Sequence, residues 1–504
     1  MRPGLLSLDP ARDPRLGAGG TASGRQPAAA DLETDLGLDR VLSAMSRGDA
    51  FIHDVVRSVV LSGSEDVGDL RHRQAVVRDA VASPAAIREL YGIATHAVET
   101  ERGTWGAGLR SPELALRRSV GVLRALLGDL RAAREVLERD GSGFSSPGLL
   151  ALTASVRAAV DDAFLAHAED LLARLDERTV IATARLGPGN RGIDYVLRRG
   201  PDASRRLRDR VAAHGRGGLV VDLTLRDQNA LNALGELRAR ALDSTGVAVR
   251  DATASVLGFV QLLRIELAFL VGCVNLGETL GARGIPTCFA ELVTGPGPAF
   301  TARDLVDPGL ALATGGPLVG NDVDADGRAL VVVTGANGGG KSTLLRAVGL
   351  AHVMAQAGMF VAASSLRMTL HAGVLTHFTR DEGLDTGRLE AELTRLSALV
   401  GSAEPTSLVL LNEALSSTNE RDGSAIAADV VAGLADGGTT VWYVTHLHEL
   451  SVRLESSGRH GTLFLRAERG SGGDRPFRVV EAPPLATSFG RDVYERVMRG
   501  RVGR

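Results

Sequence analysis

Apolar residues recur every three or four positions from residue 31 to about residue 285, the period of helices that bury one face. The clearest segments are LDRVLSAM, FIHDVVRSVVL, DLRHRQAVVRDAV, PELALRRSVGVLRALLGDLRAAREVLERD and AFLAHAEDLLARLDER. Two β-like runs interrupt them, residues 178–186 (RTVIATARL) and 218–225 (GLVVDLTL). Residues 1–30, rich in Pro, Gly, Ala and Arg without periodicity, predict a disordered tail. The most apolar stretch, residues 256–276, carries Arg264 and Glu266 and predicts a buried helix rather than a membrane span. At Pro286 the pattern changes. A Gly/Pro-rich linker, TGPGPAFTARDLVDPGL, leads into an apolar run ending Val331-Val332-Val333, a helix over 341–357 closed by Gly358, a strand SLVLL, a helix over 422–435 and a strand TTVWYVT. Two late runs, TLFLRAE and FRVVEA, predict a hairpin around SGGD. Such alternation predicts a parallel sheet with helices on both faces. The expected architecture is multidomain, an all-α region over residues 31–285 followed by an α/β domain over residues 286–504.

The run at Val333 breaks into Gly335-Ala336-Asn337-Gly338-Gly339-Gly340-Lys341-Ser342, which fits G-x-x-x-x-G-K-[ST] and opens a helix. Glycines let successive N–H groups converge on a phosphate, the helix end adds its positive dipole, and lysine supplies a point charge. Ser342 has the hydroxyl that ligates magnesium in such loops. Lys341 is the only lysine in the chain, every other strong base being arginine. A planar guanidinium does not replace a compact ammonium in a tight phosphate nest, so an arginine-biased composition would keep its lysine here. The loop is expected to bind ATP or GTP.

At 504 residues there is room for two or three domains, and a net charge of −3 gives no global attraction to nucleic acid. Any such binding needs a local patch. Arg198, Arg199, Arg205, Arg206, Arg208, Arg210 and Arg216 cluster between the two β-like runs. They are either solvated helix faces paired with acids or contacts to a phosphate backbone. Cys273 and Cys288 form no C-x-x-C pair, and the first residues contain no apolar core of signal-peptide length. These features predict a cytoplasmic protein.

Asn412-Glu413 follow the strand SLVLL, where phosphoryl hydrolases of this type keep an acidic pair. Glu413 is the candidate general base. Asn412 stands where Asp is expected; its amide oxygen still accepts a bond from Ser342 or from a metal-bound water, without negative charge, which predicts weaker magnesium affinity and slow turnover. His446 ends TTVWYVT on the ligand side of such a sheet, facing a γ-phosphate or capping the next helix. HLHEL lacks the second histidine of a zinc motif. Residues 381–388 (DEGLDTGR) predict a mobile turn, and Phe289-Ala290-Glu291 forms an F-x-E triplet within the linker.

TGANGGGKSTLLRAVGLAHVMAQAG, SLVLLNEALSSTNERDG and VWYVTHLHEL resemble, in order and spacing, the MutS family of DNA mismatch-repair ATPases. GNDVDADG, ATSFGRDV and DLRHRQAVVRDAV are more weakly similar. The resemblance implies an ABC-type P-loop domain, ATP and Mg2+ as ligands, and a dimer with two composite sites. By position it assigns phosphate binding to Gly335, Ala336, Asn337, Gly338, Gly339, Gly340, Lys341, Ser342 and Thr343, with Ser342 and Asn412 at the metal. Glu413 becomes the catalytic carboxylate and His446 the switch histidine. Leu318 falls where the family often stacks an aromatic ring on adenine. The Ser-Thr pair offered to the opposite subunit becomes Gly387-Arg388, so Arg388 is a candidate arginine finger in trans, an idea lost if Arg388→Ala leaves hydrolysis by the dimer intact.

There is no room for amino-terminal mismatch-reading and connector domains, and a DNA clamp would be reduced to residues 178–225. The expected protein is a shortened homodimeric ATPase that grips duplex or branched DNA through Arg205, Arg206, Arg208 and Arg210 without reading mismatches, beside other repair or recombination proteins. The alternative is an ATP-driven scaffold for a protein partner.

Overall fold

Hydrophobic runs and caps divide the chain as follows. Helices α1 (Ala29–Leu36), α2 (Leu38–Ser46), α3 (Ala50–Ser62), α4 (Val67–Ala82), α5 (Pro84–Gly103), α6 (Pro112–Asp140), α7 (Pro147–Ala159) and α8 (Asp162–Asp176) come first. An antiparallel hairpin, β1 (Ile181–Leu186) and β2 (Gly192–Arg198), precedes the long α9 (Gln228–Gly281). Then follow β3 (Cys288–Phe289), β4 (Glu291–Val293), β5 (Phe300–Leu305), α10 (Pro308–Ala313), β6 (Asn321–Asp324), β7 (Leu330–Thr334) and α11 (Lys341–Gln356). After these come β8 (Phe360–Val361), β9 (Ser365–Thr369), β10 (Val374–Phe378), α12 (Arg388–Ser402) and β11 (Leu408–Asn412). Helix α13 (Glu420–Asp436), β12 (Thr440–Val444), α14 (His448–Ser457), β13 (Leu463–Ala467) and β14 (Val479–Glu481) complete the series. This computed structural model describes residues 3–8, 29–103, 112–176, 181–186, 192–198, 228–295, 297–315, 318–336, 338–379, 387–416, 418–458, 461–468 and 475–484. The second β-like run, the arginines at 205, 206, 208 and 210, Asn337, the turn at 381–386 and ATSFGRDV lie outside the described residues.

The chain packs as two units, one of residues 85–144 and 148–267, the other of residues 4–84, 145–147 and 268 onward. Among the described residues the first is helical apart from the β1–β2 hairpin. Leu116, Val120, Leu126, Leu127 and Leu130 make the buried stripe of α6. Its polar face pairs Arg139 with Glu89 at 2.6 Å, Arg131 with Glu169 at 2.5 Å and Arg134 with Asp162 at 2.8 Å. Exposed pairs of this kind add little to stability and mainly orient the faces.

In the second unit β10, β11, β12, β7, β13 and β14 form one sheet in that order, parallel except for β14, which is antiparallel to β13. The late hairpin and the three core strands were thus legible. Along β7, β11 and β12 alternate residues enter one core: Leu330 and Val332, Val409 and Leu411, Val441 and Tyr443 meet Leu396 and Leu399 of α12, Val431 of α13 and Leu450 of α14. Each such aliphatic side chain contributes about 1.5–3 kcal/mol by leaving water. The register puts Phe378, Asn412, Val444 and Val333 in one row, so the loops that follow leave the sheet side by side.

Three expectations about the organisation change. Within the tail assigned to disorder, Leu5 and Leu6 are 0% and 1% exposed, Arg73 Nε donates to Leu6 O at 2.9 Å, and Leu8 N donates to Asp69 Oδ1 at 2.8 Å. An apolar pair followed by backbone capture anchors residues 4–8, a device too short to show periodicity. The region after Pro286 contributes β4 and β5 to a four-stranded sheet, β4-β9-β5-β6; Glu291 lies in β4, and Phe289 in β3, which pairs with β8. The border placed at Pro286 differs from the division between units, which falls within α9 after Leu267. Residues 4–84 go with the α/β part, as Asp35 of α1 accepts from Phe378 N at 3.3 Å. Helical periodicity tells which face is buried but not which partner buries it. The apolar stretch of α9 has Leu267, Ala268, Phe269, Leu270 and Cys273 at 0% exposure, as a buried helix requires.

Between the sheets lies a buried ring cluster. Phe300 stacks on His352 at 5.1 Å and meets Trp442 edge-on at 5.4 Å, and His352 lies 5.0 Å from His371. Burial, helped by His371, pushes the His352 pKa from 6.5 down to about 3. Between those values the unfolded chain binds a proton the folded one refuses, so this contribution is complete above about pH 6.5 and is lost as pH falls. At about pH 5 the loss from this one group is about 2 kcal/mol. His352→Leu is expected to narrow the drop in Tm between about pH 7.5 and about pH 5; an unchanged drop would contradict this assignment.

Candidate nucleotide site

Strand β7 ends at Thr334, and the chain turns through Gly335 (φ 116°), Gly338 (φ 71°) and Gly340 (φ 94°) before α11 starts at Lys341. Those angles belong to the left-handed side, where a Cβ is strained. Lys341 is 4% exposed and folds back over the loop, its Nζ donating to Gly335 O at 2.7 Å and to Ala336 O at 3.4 Å. Burial lowers its pKa, Glu413 opposes that, and Arg475 adds to it. A buried ammonium held by carbonyls is poised for an anion of higher charge. Gly338, Gly340, Lys341, Ser342, Thr343 and Glu413 line a cavity of about 190 Å³.

Strand β11 ends at Asn412, and the next residue, Glu413, enters this cavity. Ser342 Oγ donates to Asn412 Oδ1 at 2.9 Å, as expected for an amide in the acidic position. Two hard oxygens, one from a helix start and one from a strand end, suit magnesium, which favours such donors together with waters. Glu413 has φ 54° and Leu415 φ 61°, each costing about 1–3 kcal/mol unless neighbours fix it. The neighbours are there. Glu413 N donates to Val444 O at 2.8 Å, Thr379 Oγ1 to Glu413 O at 2.8 Å, Leu415 N to the buried Glu392 Oε1 at 2.6 Å, and Tyr443 Oη to Ala414 O at 2.5 Å. His446 Nδ1 lies 3.9 Å from Glu413 Oε2, an electrostatic neighbour beyond hydrogen-bond range.

Gly335, Ala336, Gly338, Gly339, Gly340, Lys341, Ser342, Thr343, Asn412, Glu413 and His446 are therefore brought to one end of the sheet. Leu318 is half-buried on the loop before β6 and does not line the cavity. Gly387 is the exposed N-cap of α12 and does not line the cavity, and Arg388 is the first residue of that helix. Thr379, Glu392 and Arg475 escaped sequence reasoning. The first two sit on β10's end and on α12, elements the spacing did not reveal.

Residues 65–283 match the family model described as MutS2 N-terminal domain, and residues 331–496 the one described as MutS domain V. The DNA mismatch repair protein MutS of Chloroflexus aurantiacus is 34% identical over 184 residues, covering 32% of this chain and 19% of that protein. The endonuclease MutS2 of an Anaeromyxobacter species is 34% identical over 225 residues, 43% of this chain and 27% of that one. The DNA mismatch repair protein MutS 2 of Haloarcula marismortui is 29% identical over 274 residues, 49% and 28% of the two chains. The chain spans less than a third of the length of these curated relatives.

Proposed function

The chain belongs to the MutS family, and from that premise we propose that it is an ATPase of the DNA mismatch-repair type whose nucleotide cycle changes its grip on DNA. The observation that carries the reading is the meeting of Lys341, Ser342 and Glu413 around one cavity at the carboxyl ends of parallel strands, with Asn412 hydrogen-bonded to Ser342 beside it. The loop amides and Lys341 bind the phosphates. Glu413, fixed by the bonds to its backbone, takes the proton of the attacking water, and His446 turns toward the terminal phosphate beside it. Magnesium, held through Ser342 and Asn412, would neutralise charge on the β- and γ-oxygens.

Asn412 brings no charge to that ion, so turnover is slow. In Asn412→Asp half-saturation by magnesium is expected to fall roughly tenfold, the scale of one added charge near a dication, and kcat to rise. An unchanged rate and magnesium dependence would argue against the assignment. In the ABC-type arrangement two chains face each other, and Gly387 and Arg388, at the start of α12, serve the partner's nucleotide. Leu318 packs weakly beside the base.

DNA is held by Arg205, Arg206, Arg208 and Arg210, without recognition of mismatched bases. Hydrolysis and retention should be measured with single-stranded, duplex and branched DNA across a salt series. Stimulation by DNA, with a salt slope that shrinks when the four arginines are neutralised, is expected. Hydrolysis indifferent to every DNA would favour a scaffold acting on a protein.

A further inference from the structure

The segment entering β14 lies across the glycine loop, and its position is fixed from two sides. Asn321 of β6 donates through Nδ2 to Phe477 O at 3.4 Å and accepts at Oδ1 from Val479 N at 2.8 Å. Glu468 N donates to Arg478 O at 2.7 Å, closing the hairpin from β13. Phe477 O is thereby held 3.5 Å from where a Cβ on Gly340 would stand. Arg475, two residues earlier, is laid against Gly338. A Cβ on Gly338 would collide with the Arg475 guanidinium, so the glycine leaves the space that the arginine fills.

Arg475 is half-buried and has no carboxylate partner among the described residues. Its charge is felt at Lys341, the group that in such loops reaches the β- and γ-phosphates. Two cations converge on one glycine loop, with Glu413 across the cavity as the nearby carboxylate. Like charges so placed repel until an anion joins them. A nucleoside triphosphate brings more negative charge to the outer end of the loop than a diphosphate, and a planar fork suits phosphate oxygens.

We propose that Arg475 is a second cationic ligand of the bound nucleotide, supplied from the same chain as the loop, and that it favours a nucleoside triphosphate over a diphosphate. The inference rests on nucleotide binding at Lys341. It adds a residue outside the phosphate motif and a preference that the motif does not set.

The test is titration calorimetry of the full chain with Mg–ATPγS and with Mg–ADP, comparing wild type, Arg475→Ala and Arg475→Lys. Arg475→Ala is expected to weaken ATPγS binding by about tenfold or more and ADP binding by less than about threefold, from one lost charge-assisted contact to the outer phosphate. Arg475→Lys, which keeps charge without the fork, should fall between. Because the guanidinium has no protein partner among the described residues, the nucleotide-free Tm of Arg475→Ala should match or exceed that of wild type. Equal weakening for both nucleotides, no weakening, or tighter ATPγS binding would overturn the proposal, the last marking Arg475 as an obstruction instead. Wild type that binds while Arg475→Ala is unaffected overturns this inference alone. Wild type that binds neither nucleotide overturns the nucleotide reading and this inference with it.

Discussion

Glu413→Gln is expected to lower kcat for ATP hydrolysis by about 10²–10⁴-fold, the range for losing a positioned general base. The amide keeps the shape of the carboxylate and removes its basicity. The backbone around it, held by Val444 O, Thr379 Oγ1 and the Leu415–Glu392 contact, is untouched by the change. Nucleotide affinity should therefore stay within about threefold, the pattern of an interaction made only in the transition state. Single-turnover hydrolysis and equilibrium binding on the same preparation separate the two effects. A variant that keeps a tenth or more of the wild-type rate would remove Glu413 from the chemistry.

The second large effect is expected at Lys341. Its ammonium is buried and held by the carbonyls of Gly335 and Ala336, with burial lowering its pKa. Removing a buried charged contact to a ligand costs about 2–5 kcal/mol, so Lys341→Ala should weaken ATP binding by about 30-fold or more. Lys341→Arg should be nearly as damaging. A planar fork does not reproduce the compact ammonium that lies over the Gly335 and Ala336 carbonyls, and that mismatch accounts for a solitary lysine among so many arginines. In the absence of nucleotide, Lys341→Ala should be at least as stable as wild type, because it no longer carries a charge held in a desolvated place. Full-strength binding by Lys341→Arg would show that the composition argument is wrong.

How much of this could be read from the chain alone follows from the range of each signal. The glycine loop, SLVLL, TTVWYVT and the helix over 341–356 announce themselves within about ten residues, and the register then forces Asn412, Glu413 and His446 together. The sheet order could not be read because β10, HAGVLTHF in sequence context, has polar residues where a buried edge strand would be apolar. His377 Nε2 lies instead 3.8 Å from the buried Glu392, an electrostatic neighbour beyond hydrogen-bond range. Glu392 itself looks in sequence like one more solvated carboxylate of a charged helix, yet it is 5% exposed and accepts from Leu415 N. Arg475 was hidden among abundant arginines, and only the fold brings it beside Gly338, 137 positions away in sequence. The anchoring of Leu5 and Leu6 was invisible for the same reason, since Arg73, which captures Leu6 O, lies far along the chain. Local pattern identifies elements and the phosphate loop; partners distant in sequence require the fold.

The central claim is that a nucleoside triphosphate occupies the nest around Lys341. Calorimetric titration of the full chain with ATPγS in the presence of magnesium tests it most directly. The account predicts saturable binding of about one nucleotide per chain, lost in Lys341→Ala. Absence of any magnesium-dependent binding by folded wild-type protein would contradict it.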